Sequence, residues 1–355
     1  MGVRAFLQKE RYASRRNVAV LVLLLVVLPA AAAFGTAAFE HTIPQDTPVG
    51  IAPQDETVTA DELDVISSGV ALHATPESYD STDDARRALS REEVYLVVEV
   101  PPGLFDAETN ATATLVSDQR LAPFQDPSEY TASTMETELD RQLPATVRVE
   151  HDRVGDQYTL SEYLVPTGLL TILVLFAFMY LPFELRQERS VLERVAIESR
   201  IEAAVAAKIA HYGVLMIVPV STFQLVSIYL GYRVTHFTVQ TFAVLGITFV
   251  YLAAVSAVIM FLTGLRRLGL FINLAVMTGA FVFAGFIYPA GFFSALRLEI
   301  TRSLPLHYSM IMTRSTMLKD TSLSLFADWL LALGLFTGGT LVALQLSIMY
   351  YRRTR

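Results

Sequence analysis

Cysteine is absent from the 355 residues. Neither a disulfide framework nor thiolate chemistry is therefore available, and cysteine usage says nothing of the redox compartment. Lysine is nearly absent: Lys9, Lys208 and Lys319 are the three, and arginine supplies the rest of the 27 basic side chains. Charge is scarce at 17%, against 53% hydrophobic residues, and the mean hydropathy is +0.43. Such values lie outside the soluble globular range and point to a polytopic membrane protein. Catalytic signatures are missing as well. No G-x-x-x-x-G-K-[ST] occurs to cradle nucleotide phosphates, and no H-E-x-x-H or G-x-S-x-G elbow is found. The six histidines (His41, His73, His151, His211, His236 and His307) are scattered without metal-ligand spacing. No Asp, Glu, Lys or Arg lies near the centre of an apolar run. An ionisable group there is costly and is kept chiefly where ions or protons need it, so ion-coupled transport is disfavoured.

What charge there is falls unevenly. Residues 40–160 hold 25 acidic and 7 basic side chains, a balance of −18; the remainder holds 10 and 20, a balance of +10. An acidic hydrophilic block therefore sits inside a mildly basic membrane protein. Acid-rich, lysine-poor composition suits a salt-loving organism such as a halophilic archaeon; a GC-rich genome favouring arginine codons is the alternative.

A spanning helix needs roughly 20 apolar residues, and six stretches qualify: about 17–39, 163–183, 210–231, 238–262, 269–292 and 323–349. Basic residues cluster before the first (Arg4, Lys9, Arg11, Arg15, Arg16) and after the second (Arg186, Arg189, Arg194, Arg200, Lys208). They cluster again between the fourth and fifth (Arg266, Arg267) and after the sixth (Arg352, Arg353, Arg355). With alternating spans all four clusters share one side, which the positive-inside rule makes cytoplasmic. Both termini are then expected inside and residues 40–160 outside. Residues 1–39 also read as a signal peptide, with a basic start, an apolar run and small residues after Pro29. A retained anchor is preferred, because the apolar stretch continues to Phe39.

Within the acidic block, EVYLVVEV (93–100), ATATLVSD (111–118) and TVRVEH (146–151) are expected strands. TDDARRALS (82–90) and PSEYTASTMETELDRQL (127–143) are expected helices. Pro101-Pro102-Gly103 marks a turn, and Asn110-Ala-Thr112 is an acceptor sequon of a kind common by chance. The carboxylates of so acidic a block are expected on a solvated surface. No internal repeat is evident. The expected class is an α-helical polytopic membrane protein with six transmembrane helices and an α/β extracytoplasmic domain inserted between helices 1 and 2. Its divisions are 1–39, 40–160 and 161–355.

The most charged stretch of the hydrophobic part is PFELRQERSVLERVAIESR, residues 182–200. It lacks glycine, carries its one proline at the start, and spaces Leu185, Leu192 and Val195 as one apolar stripe. Arg189–Glu193 and Arg194–Glu198 are i,i+4 opposite-charge pairs. The charges balance, unlike a polybasic lipid-binding patch. A helix docking into a protein groove and an interfacial helix covering the span ends both fit this pattern.

The segment resembles the cytoplasmic loop of ABC transporter type-2 permeases, which carries an E-x-E-x-G-T-L-E-R-like stretch after the second span. Here Glu188 to Arg194 occupy it, with Ser190-Val191 in place of Gly-Thr and without the proline that usually follows. GFIYP (285–289) is similar to the family's S-G-F-x-x-P. LPLHYSMIMTRSTMLKD (304–320) is similar to its P-L-T-Y-x-x-x-x-x-R segment before the last span. TPVGIAPQD, DDARRAL and VYLVVEVPPGLF follow the order found in the subfamily with a large ectodomain between the first two spans.

The resemblance implies the permease subunit of an exporter in the plasma membrane, paired with a second copy or a sister permease. It would be driven by a separate ABC ATPase that binds ATP and Mg; this chain would hold no cofactor, bind no nucleic acid and catalyse no reaction. Within a coupling segment, 184–208, it gives the coupling role to Glu184, Glu188, Arg189, Leu192, Glu193 and Arg194. It places a non-helical outer mouth at Gly285 to Pro289 and Pro305 to Tyr308, with Arg314 nearby. The transported substrate stays open. A receptor or sensor with a ligand-binding extracytoplasmic domain is the alternative class, though no cytoplasmic output domain is seen. An intramembrane hydrolase lacks a catalytic pair.

Overall fold

The computed structural model describes residues 47–354, apart from 72–73, 107–109, 126–127, 130, 133–134, 136–142, 144, 199–200 and 287. For 195–198 and 295 it describes the backbone alone. The expected span 17–39, the signal-or-anchor choice and most of the expected helix 127–143 lie outside the described residues.

The chain first forms an α/β region: β1 Pro48–Pro53, α1 Ala60–Val70, β2 Thr75–Ser78, α2 Thr82–Ser90, β3 Leu96–Val100, β4 Asn110–Asp118 and β5 Thr146–Val154. The sheet order is β2-β1-β3-β4-β5, with β3 and β4 antiparallel and the other neighbours parallel. Helices α1 and α2 are the crossovers between parallel strands, as that pairing requires. They cover opposite faces of the sheet. Ile66 of α1 packs with Val49, Ile51, Leu96 and Val98, whereas Ala85, Ala88 and Leu89 of α2 pack with Ala52, Val97 and Val116. Burial on both faces explains why β3 reads LVVEV rather than alternating.

Local signals set the helix starts. Thr59 and Glu62 form a capping box at α1, with Glu62 Oε2 accepting from Thr59 N at 2.8 Å. Glu62 also accepts from Gly103 N and Leu104 N at 2.7 and 2.9 Å. Burial alone would raise its carboxyl, but these bonds hold it below its ordinary range. Ser81 caps α2.

The rest is helical: α3 Leu160–Leu175, α4 Leu181–Gln187, α5 Arg189–Glu198, α6 Ile201–Leu215, α7 Ile217–Tyr229, α8 Val239–Leu262, α9 Arg267–Phe283, α10 Ala295–Arg302, α11 Pro305–Leu318 and α12 Ala327–Arg353. A π-helical turn, Phe176–Tyr180, joins α3 to α4. Among the described residues, four continuous stretches are long and apolar enough to cross a membrane: Leu160–Gln187, Ile201–Tyr229, Val239–Leu262 and Leu323–Arg353. In the α8 stretch 61% of the apolar window is buried, against 22% for Ile201–Tyr229. Helix α8 is therefore the hub, and α6–α7 present a broad apolar face.

Two expectations are corrected here. The fifth span does not run to 292. Its helix, α9, ends at Phe283 after 17 residues. Gly285 then takes a left-handed φ of 70°, and a single 3₁₀ turn follows at Ala290–Phe292. Apolar residues continue through the break, so hydropathy does not register it. The second correction concerns Pro305 to Tyr308, expected to be non-helical, which form the first turn of α11, with Pro305 at its start. Proline is tolerated there because its missing N–H would be unpaired in any case.

Helix α11 packs against α8, α3 and α12, and every residue of it except Tyr308 is buried. Two hydroxyl pairs tie it to α8, Thr241–Thr316 and Thr248–Ser309, each at 2.9 Å.

Candidate functional site

The two ends of the helical half hold the residues singled out in the sequence. At the end carrying the α/β region, Arg314 of α11 is the largest fully buried side chain among the described residues. Its Nη1 donates to Glu92 Oε2 at 2.5 Å and its Nη2 to Gly285 O at 3.2 Å. The guanidinium carbon lies 4.8 Å from the ring centroid of Tyr163 on α3, a cation–π distance. One side chain thus joins α11, α3, the break after α9 and the turn that follows α2.

The charges continue beyond Arg314. Lys319 Nζ lies 3.4 Å from Glu92 Oε1 and 3.2 Å from Asp118 Oδ2, and it donates to Ser90 O at 3.1 Å. Asp118 in turn pairs with Arg120 at 2.7 Å. The side chains of Arg314, Glu92, Lys319 and Asp118 are all 1% exposed or less. Burial alone would raise the Asp118 carboxyl, but Lys319 and then Arg120 hold it below the usual carboxylate range. Glu92 Oε1 and Arg314 Nε have no hydrogen-bond partner. Two positive and two negative groups are therefore desolvated together, in balance but not fully satisfied.

Of the residues expected at an outer mouth, Gly285 and Arg314 meet directly. Pro289 precedes the 3₁₀ turn. Tyr308 donates its hydroxyl to Arg302 O at 2.7 Å and packs edge-on against Trp329, while Pro305 opens α11. Glu92, Asp118, Lys319 and Tyr163 were not anticipated. The acidic block was expected to wear its carboxylates on a solvated surface, yet Glu62, Glu92, Glu99 and Asp118 are buried. Each has its own fixed donors, and the donors to Glu92 come from far along the chain. One signal was present: Lys319 is among only three lysines. Where nearly every cation is arginine, a compact ammonium marks a site with several acceptors at close range.

At the opposite end residues 182–198 form two helices, α4 and α5, meeting at Glu188. Leu185 and Leu192 are buried against the bundle; Leu192 holds the segment down and offers no outer surface. Glu184 and Glu188 turn inward to Lys208, at 3.8 and 2.8 Å. Arg189 and Glu193 pair at 2.9 Å. Val191 and Arg194 face outward. The expected Arg194–Glu198 pair and Val195 lie outside the described side chains. Arg352 bonds Glu202 at 3.1 Å and Tyr351 packs edge-on against Phe261 at 5.4 Å. The basic residues following α3–α4, α8 and α12 therefore share this end.

Among the described residues no group of His, Cys, Asp or Glu is placed to hold a metal ion. The chemistry available is charge pairing, helix anchoring and an outward-facing helix surface. A family model described as ABC-2 family transporter protein matches residues 18–344. No curated protein matches the chain, and no solved structure does.

Proposed function

This chain belongs to the ABC-2 family of transporter proteins, and from that membership we propose that it is the permease subunit of an ATP-driven exporter. A separate ABC ATPase binds and hydrolyses ATP with Mg, and this chain, paired with a second permease, forms the path. The observation carrying the reading is the match itself, which runs through the α/β region and the helical bundle alike.

The clustering of basic residues at one end supports the orientation, because Lys and Arg mark the cytoplasmic side. Residues 184–208 then face the ATPase, both termini are inside and the α/β region is outside. The segment suits a transmission part. Val191 and Arg194 supply its outer surface, and the Arg189–Glu193 pair stiffens α5. Leu185, Leu192 and the Lys208 pairs to Glu184 and Glu188 fasten it to the bundle, so a push on α5 reaches α3 and α6. Gly285 to Pro289 and the start of α11 lie at the outer end of the path.

The test is co-purification of the ABC ATPase with the tagged full chain from membranes. Val191→Glu with Arg194→Glu is expected to abolish it while insertion is retained. Undiminished co-purification with this pair refutes the contact surface; failure of the unaltered chain to retain any ABC ATPase refutes the reading as a whole.

A further inference from the structure

The turn following α2 is held by three separate elements of the helical half. From the end of α11, Lys319 donates to Ser90 O. From the end of α10, Arg302 donates to Glu93 O at 2.9 Å. Arg91 reaches the other way, to Leu325 O at 3.0 Å and Asp328 at 2.7 Å, with its guanidinium 4.4 Å from the Trp329 ring centroid. Glu92 fills the centre against Arg314 and Lys319. Beside the turn, Tyr95 stacks on Phe124 at 4.8 Å, and both rings close over Gly291, where a Cβ would meet Tyr95 at 2.5 Å.

The backbone is strained where the two halves meet. Glu92 has φ 56° and Asp320, next to Lys319, has φ 47°. Side chains with a Cβ seldom adopt this region, and it persists only where the surroundings over-determine it. Buried ion pairs are a poor way to gain stability, since apolar residues of the same volume do at least as well. They do specify a seating, because any other register leaves a charge desolvated and unpaired. The element that receives the turn is itself fixed: α11 is buried at every residue but Tyr308 and hydroxyl-bonded to α8.

We propose that the 90–93 turn is a fixed mount. The α/β region, α11 and α8 keep one mutual arrangement and move as a single body, so that separation between them forms no part of the transport path. The mount is a property of this chain alone; its behaviour during transport rests on the functional reading above, and the two are tested separately.

The first measurement needs no partner. Hydrogen exchange is followed on the full chain in lipid nanodiscs. A single body requires segments 90–100 and 305–318 to exchange with a common protection. Glu92→Gln is expected to raise exchange in both by the same factor, on the order of a hundredfold, the scale of a broken buried ion pair. Segment 201–229 should stay unchanged. Protection differing more than about tenfold between the two segments, or a Glu92→Gln effect confined to one, overturns the mount. If that variant does not fold, the unaltered chain still decides through the first comparison.

The second measurement uses the chain with its ATPase. Because the protein has no cysteine, Arg91→Cys and Asp328→Cys can be bridged by a short, reversible bis-methanethiosulfonate without side reactions. Bridging is expected to leave ATP turnover within twofold. A large drop restored by reductant overturns the mount, since the halves would then have to part in each cycle. Absence of turnover before bridging counts against the functional reading, and the exchange experiment then decides on the mount.

Discussion

At one end of the helical half Arg314 and Glu92 meet at 2.5 Å with both side chains 1% exposed; at the other Arg189 and Glu193 meet at 2.9 Å with 40% and 37% exposed. The distances are similar and the consequences are not. The exposed pair works in water, where screening and side-chain entropy leave it close to neutral. The buried set gives up its hydration, so each member depends on the others, and removal of one strands the rest. Charge at the α/β end therefore specifies geometry, whereas the Arg189–Glu193 pair at the other end lies on a surface that can exchange one partner for another.

The sharpest way to break this contrast is Lys319→Met, which leaves Glu92 and Asp118 desolvated with fewer cations. It is expected to cost about 3–5 kcal/mol, read as a fall in the thermal midpoint of the full chain in nanodiscs. A cost below about 1 kcal/mol would put the two ends on the same footing. Next is Gly291→Ala, whose Cβ would collide with Tyr95 and Phe124 at 2.5 and 2.9 Å. Overpacking of this kind costs about 1–3 kcal/mol, and the same unfolding measurement checks it.

A pH series sharpens the comparison through Asp118. Its folded-state carboxyl is held below the usual range by Lys319 and Arg120 in spite of burial. The resulting stability is thus present at neutral pH and persists down to about pH 4, the ordinary carboxylate value. It is lost as pH falls further through the lowered value. Thermal midpoints between neutral and strongly acid pH should trace this loss, and Asp118→Asn should flatten the curve. The smallest effect is expected at the opposite end: Arg189→Ala should change stability by less than about 0.5 kcal/mol. High salt should erase even that, while leaving the buried set unmoved.

Much of the framework was legible because it rests on local pattern. The helix expected over 82–90 spans those residues, with Ser81 ahead of it and two aspartates in its first turn. The strands expected at 111–118 and 146–151 lie within β4 and β5. Three of the apolar runs, at 163–183, 238–262 and 323–349, lie almost wholly within continuous helix. Where the sequence misled, the cause was distant. The strand expected from Glu93 begins at Leu96, because Glu92 N and Glu93 N are still bonded back to Leu89 O and Ala88 O in the turn that closes α2. The fifth run reads as apolar from 269 to 292, but Gly285 turns the backbone out of the helix. Helix α1 and strand β2 went unread, although Thr59 and Glu62 announce the former. The buried carboxylates could not be told from surface ones by composition. Glu92 finds Arg314 across 222 positions, a relation no local window contains.

Helix α11 also bears on how the protein is made. It carries Ser309, Thr313, Arg314, Ser315 and Thr316 inward, so it has no lipid-facing side with which to enter a bilayer unaided. It must be fitted after α3 and α8 are in place, and the insertion of α12 closes the compartment around it. A chain stopped before Ala327 should accordingly uncover Met312, which packs with Leu333: in this cysteine-free protein a Met312→Cys thiol should then be open to maleimide labelling, and the intact chain should protect it.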